Sequence, residues 1–125
     1  MFFSRPAGQK YVDRGNVDAL DFVVGDLTTD WTWRDLDLSA IVPVNAIAVH
    51  IVAIVRDDNA ISNFQFRKNG FTTEINISRI ATQSNLASMY MDVIQPCDAD
   101  RVIEYRATNT TFSTISIYVR GWIIK

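Results

Sequence analysis

The chain has 125 residues, 48% hydrophobic and 21% charged, which suits one globular domain with a sizeable core and excludes a disordered chain. Lys and Arg total 12 against 14 Asp and Glu, and no basic stripe forms, so neither nucleic-acid binding nor a polybasic membrane patch has electrostatic support. Cys97 is the only cysteine, so no internal disulfide is available and folding in a reducing cytosol is compatible with the sequence.

Residues 1–19, broken by Pro6, Gly8 and Gly15, read as a polar arm or lead-in with room for a short strand. Only three apolar residues, Met1 to Phe3, precede Ser4, Arg5 and Pro6, too few for the apolar core of a signal peptide. No apolar run is long enough to span a bilayer. Leu20 to Val24, closed by Gly25-Asp26, is the first predicted strand. Thr28 to Leu38 is the second: Trp31, Trp33 and Asp35 share one parity, and Thr32, Arg34, Leu36 and Leu38 the other. Pro43 then argues against a central strand at that point.

Asn45 to Arg56, NAIAVHIVAIVR, is apolar on both parities, so the spacing predicts a central strand covered on both faces. One parity is Ile47, Val49, Ile51, Ala53 and Val55. The other is Ala46, Ala48, His50, Val52 and Ile54, too apolar to face water unaided. A two-layer sandwich leaves that second face in need of a cover, from the N-terminal arm or from another subunit. Oligomerisation is therefore an expectation of this strand.

Ile61 to Lys68 alternates, and Asn69-Gly70 is the strongest hairpin signal in the chain. It predicts a two-residue type I′ turn with both central residues at positive φ and a return strand over Phe71 to Ile80. Ala81 to Asn85 reads as a loop, Leu86 to Ile94 as a mixed strand, and Gln95 to Asp100 as a turn. Arg101 to Ala107 alternates again, and Phe112 to Ile124 gives the longest clean alternation. About eight short strands without a helical stretch predict a single-domain, all-β, antiparallel β-sandwich over residues 20–125, jelly-roll-like.

Chemistry is sparse. His50 is the only histidine; no serine, cysteine or second histidine is patterned with it, so a place on a partly covered surface or an oligomer interface outweighs a general base. Cys97 has acidic neighbours, which work against a thiolate. The acidic loops Asp26 to Asp30, Asp57-Asp58-Asn59 and Asp98 to Asp100 lack EF-hand spacing, and solvated loop ends are the plainer reading. Asn76-Ile77-Ser78 and Asn109-Thr110-Thr111 match a glycosylation acceptor by chance. The expectation is no enzyme, no catalytic residue, no cofactor and no metal.

The aromatic residues say more. Tryptophan and tyrosine exposed on a sheet face stack on sugars or anchor interfaces, against the plainer alternative of core packing. Trp122 is an interface candidate because its parity is that of Ser116 and Arg120; His50 and Tyr118 join it. Trp31 and Trp33 are the glycan-stacking candidates.

Several stretches carry a family resemblance. They are Tyr11 to Gly15, Asp21-Phe22, Gly25 to Asp30, Trp33 to Ser39, Ile41-Val42-Pro43, Phe66 to Gly70, Arg101 to Tyr105, and Gly121-Trp122. Together they resemble a β-sandwich module of tailed-bacteriophage and prophage virion proteins: tail-fibre, appendage-tip or head-decoration domains, commonly trimeric. The resemblance covers the chain from about residue 11 onward and brings no catalytic residues. It implies a virion-surface structural protein that folds in the host cytoplasm and assembles as a homo-oligomer, a trimer being favoured, beside other virion proteins. It does not imply nucleic-acid binding or membrane insertion. The chain itself contains no collagen-like or coiled-coil stalk; if it is the full product, the expectation is a small decoration or accessory protein rather than a fibre tip. The alternative reading is a carbohydrate-binding module for a host-surface glycan.

Overall fold

The computed structural model describes residues 8–59, 61–83 and 86–125. Residues 1–7 of the expected lead-in, and Ser84 and Asn85 of the expected loop, lie outside the described residues. The strands are β1 (Lys10–Asp13), β2 (Phe22–Val23), β3 (Arg34–Asp37), β4 (Ala46–Arg56), β5 (Asn63–Lys68), β6 (Ser78–Ala81), β7 (Met89–Pro96), β8 (Val102–Ala107) and β9 (Thr114–Ile124). Single 3₁₀ turns lie at Val24–Asp26 and Glu74–Asn76.

Two antiparallel sheets pack face to face. The front sheet runs β1-β9-β4-β7, with β2 on the same edge of β9 as β1; the back sheet runs β3-β8-β5-β6. The pairs β2–β9, β3–β8, β4–β7 and β5–β6 are the rungs of one long hairpin. Successive rungs alternate between the sheets, which is the jelly-roll arrangement.

The sequence pattern explains the placement of β4. It lies between β9 and β7, and its inner parity of Val49, Ile51, Ala53 and Val55 is fully buried. Those residues share one core with Ile115, Ile117 and Val119 of β9, Phe64 and Phe66 of β5, and Ile103 and Tyr105 of β8. Phe64 and Phe66 meet edge to face at 5.0 Å, and Tyr105 stacks on Phe64. Burial of each large aliphatic or aromatic side chain contributes about 1.5–3 kcal/mol.

Four departures from the sequence reading bear on function. First, Lys10–Asp13 of the expected lead-in pairs with Ile124 to Gly121, so that stretch belongs to the front sheet. Second, the β4–β9 register shifts between His50 and Ile51, leaving Arg120 as an extra residue on β9. Every residue beyond that bulge changes face. Trp122 therefore stands opposite Val49 and packs on the core, not beside Ser116 and Arg120.

Third, Asn69-Gly70 does not make a two-residue hairpin. Only Gly70 has positive φ, at 87°, and β6 begins at Ser78 opposite Phe66. The turn is bound elsewhere: Asn69 Nδ2 donates to Asp98, and the Gly70 N–H to Glu104. A single positive φ at the second central residue is the type II pattern. Fourth, β3 is only Arg34–Asp37, and Trp31 sits ahead of it at φ 62°.

Candidate functional site

The outer face of the front sheet carries a chain of hydrogen bonds across four strands. Tyr11 on β1 lies 2.8 Å from His50 Nδ1, and His50 Nε2 lies 2.5 Å from Asp92 Oδ1 on β7. Arg120 Nη1 donates to Asp92 Oδ2 at 3.2 Å, and Arg120 Nη2 to the Tyr118 hydroxyl at 3.1 Å. A carboxylate only accepts, so His50 Nε2 carries a proton, and in the neutral ring Nδ1 accepts from the Tyr11 hydroxyl.

Arg120 belongs to β9 and Asp92 to β7, with β4 between them. Their ion pair must therefore reach across β4, a span of about 10 Å between outer strands. It passes over Val52, which Asp92 and Tyr118 flank in register, and Val52 is only 2% exposed although it lies on an outer face. The cover that the sequence reading required for this strand is thus supplied largely by the chain's own side chains. The apolar surface still open on this face lies toward its flanks: Tyr90, 66% exposed, and Ile94, 47% exposed, with Tyr11 on the far side.

Beside the relay the edge strand leaves β9 and returns. Arg14 pairs with Asp21 at 2.6 Å and donates to the Val119 carbonyl, while the Val119 N–H donates to Asp21. Two side chains thereby replace the backbone partners that an unbroken edge strand would offer, and residues 15–20 loop outward. Gly15, at φ 102°, turns the chain there, with its N–H donating to Asp13. Tyr11, Asp13, Gly15, Val17 and Arg120 line a shallow depression of about 340 Å³.

An Asp–His–Tyr line invites comparison with a nucleophilic triad, which needs an activated nucleophile. Burial, and then the Asp13 charge, push the Tyr11 phenol up from its ordinary value. It stays protonated and serves as a donor to His50. Cys97 is likewise held as a thiol: it is 3% exposed, and burial followed by Asp98 raises its pKa. Among the described residues no group of three His, Cys, Asp or Glu side chains is arranged to hold a metal ion.

The outer face of the back sheet carries alternating arginines and tryptophans. The Arg67 guanidinium lies 4.0 Å from the Trp33 ring centre; that of Arg106 lies 4.5 Å from Trp33 and 3.9 Å from Trp31. Arg67 is bonded to Glu104 through two nitrogens. Arg106 donates instead to the amide oxygen of Gln65, at 2.8 and 3.2 Å. Trp31 is 43% exposed; its backbone N–H donates to the Ala107 carbonyl, and Asp30 accepts from both the Thr32 N–H and Arg34.

The candidates therefore separate. His50 and Tyr118 share the front face, Trp31 and Trp33 the back face, and Trp122 belongs to the core side. Tyr11, Asp92, Arg106 and Arg120 complete the two faces. No sequence signal marked them, because strand order alone brings residues about 40 positions apart together. No family model matches the chain, and no curated protein matches it.

Proposed function

We propose that the chain is a non-enzymatic structural module of a bacteriophage virion surface that assembles as an oligomer through the front face. The phage assignment rests on the sequence resemblance. The assembly assignment rests on one observation: Tyr90 and Ile94 stand exposed at the edge of a platform fixed by the Tyr11–His50–Asp92–Arg120–Tyr118 hydrogen bonds. Rigid aromatic and aliphatic anchors beside prepaired polar groups lose little entropy on docking. The raised phenol of Tyr11 supports the non-enzymatic reading, since it keeps that hydroxyl protonated and offers no phenolate nucleophile.

Sedimentation equilibrium tests assembly. The expected result is a self-associating species, a trimer being favoured, which Tyr90→Glu with Ile94→Glu converts to monomer. A strict monomer at high concentration overturns the assembly reading. Immunogold labelling with an antibody raised against the chain tests the virion placement separately, and unlabelled particles overturn it.

A second reading has its own observation. Trp31 combines an exposed indole with a backbone conformation that bulky residues avoid. Such strain is retained where the surroundings hold it and clusters at ligand-binding sites. In this reading the back face is a glycan-binding surface, with Trp31 and Trp33 as the stacking residues.

A further inference from the structure

We propose that the back face binds an acidic saccharide, with Trp31 as the stacking platform and Arg106 as the partner of the sugar carboxylate. This rests on the glycan reading of that face and adds the class of ligand.

The first observation is a mismatch in pairing. Arg34, Arg67 and Arg79 each have a carboxylate partner, respectively Asp30, Glu104 and Glu74. Arg106 has none within ion-pair distance among the described residues; its acceptor is the neutral amide of Gln65. Gln65 is only 4% exposed although it lies on the outer face, so the amide is a fixed buried anchor. It holds the Nε and Nη2 edge of the guanidinium and leaves Nη1 without a hydrogen-bond partner among the described residues. Burial lowers the pKa of Arg106; Glu74 opposes this, and Arg67 and Arg79 add to it. An arginine desolvated among other arginines gains more than an exposed one from an added anion.

The second observation is the ring beside it. Arg106 covers one face of the Trp31 indole at 3.9 Å, so the exposed surface of that side chain belongs to its other face and edge. A pyranose laid on an indole buries its C–H face, and a carboxylate on that ring lies within reach of a guanidinium a few ångströms away. Asp35 shares the outer face but pairs in register with Glu104, two residues along β8 from Arg106. A nucleic acid would also stack on tryptophan. It would need a line of uncompensated cations, and of the four arginines here only Arg106 lacks a carboxylate partner among the described residues.

The test is calorimetry on the intact protein with sialyllactose and a glucuronate-terminated disaccharide as probes, and with lactose as the neutral control. The acidic probes are expected to bind about tenfold or more tighter than lactose, the scale of one charge-assisted hydrogen-bonded contact. Arg106→Gln should erase that preference, and Trp31→Ala should abolish binding of every saccharide. Equal binding of acidic and neutral probes overturns this inference and leaves the glycan reading standing. No binding of any saccharide overturns both. A preference for a single-stranded oligonucleotide over the acidic probes overturns the choice of ligand. Should Arg106→Gln unfold, the tryptophan fluorescence of the unaltered protein decides: quenching by sialyllactose and not by lactose is expected, and the same response to both is fatal.

Discussion

At the scale of single residues, close approach and hydrogen-bond count set the tolerances. Gly121 faces β1 so closely that a Cβ there would lie 2.5 Å from both the Tyr11 hydroxyl and the Val12 carbonyl oxygen. Tyr11 can swing aside only by giving up His50, and the Val12 carbonyl is backbone. Gly121→Ala is therefore expected to cost about 1–3 kcal/mol in a denaturation experiment and to release the His50 ring in NMR. Unchanged stability would remove β1 from its place on β9. Asp98 makes a pH prediction. Burial pushes its carboxyl up, but the Val102 N–H, the Asn69 amide and the Asp100 N–H together bring it below its ordinary value. A carboxyl lowered on folding stabilises fully above its unfolded pKa, and that contribution is lost as pH falls through the folded one. Asp98→Asn should thus cost about 1–3 kcal/mol near neutrality, with the gap to the unaltered protein closing in acid below about pH 4. A gap constant from about pH 6 to about pH 2 would show that Asp98 carries no such linkage.

At the scale of elements, the edge of the front sheet depends on a side-chain clamp. Asp21, immediately before β2, accepts from the Val119 N–H where no backbone group of β1 or β2 does so among the described residues, and it holds Arg14 as well. Asp21→Ala should cost about 2–3 kcal/mol and speed amide exchange at Val119, whereas Asp21→Asn, which keeps an acceptor, should retain most of that protection. Equal protection in all three proteins would mean that the clamp is ornamental to the sheet. The same elements show which features a sequence carries. β4 and β9 were legible because burial on one or both faces writes itself as period-two hydrophobicity. Trp122 was misplaced because a bulge at Arg120 reverses parity without any local residue signal. Asn69-Gly70 misled because its polar groups are taken by Asp98 of the β7–β8 turn and Glu104 of β8, and those contacts override the two-residue turn. The His50–Asp92 and Arg106–Trp31 contacts needed strand order, which composition and spacing do not contain.

At the scale of the whole molecule, the two outer faces have different properties and a close-packed core between them. The front face has a locked polar platform and flanking apolar anchors, as a self-association surface requires. The back face has arginines stacked on two indoles, and one of them, Arg106, has no carboxylate partner among the described residues. Since the sheets lie back to back, a contact made by Tyr90 and Ile94 leaves Trp31 and Arg106 open to solvent in each subunit. An oligomer would then display several copies of a weak site, and linked sites gain about 10²–10⁴ in apparent affinity when the surface offers ligand at matching spacing. This makes the two faces separable by experiment. On a sialylated surface the unaltered protein should be retained far longer than the Tyr90→Glu, Ile94→Glu variant, while both bind free sialyllactose with equal affinity. Arg106→Gln should show the reverse pattern, keeping its sedimentation behaviour and losing the surface. Loss of free-ligand affinity in the front-face variant, or loss of assembly in Arg106→Gln, would mean that the core couples the faces and that the division of labour drawn from their chemistry is wrong.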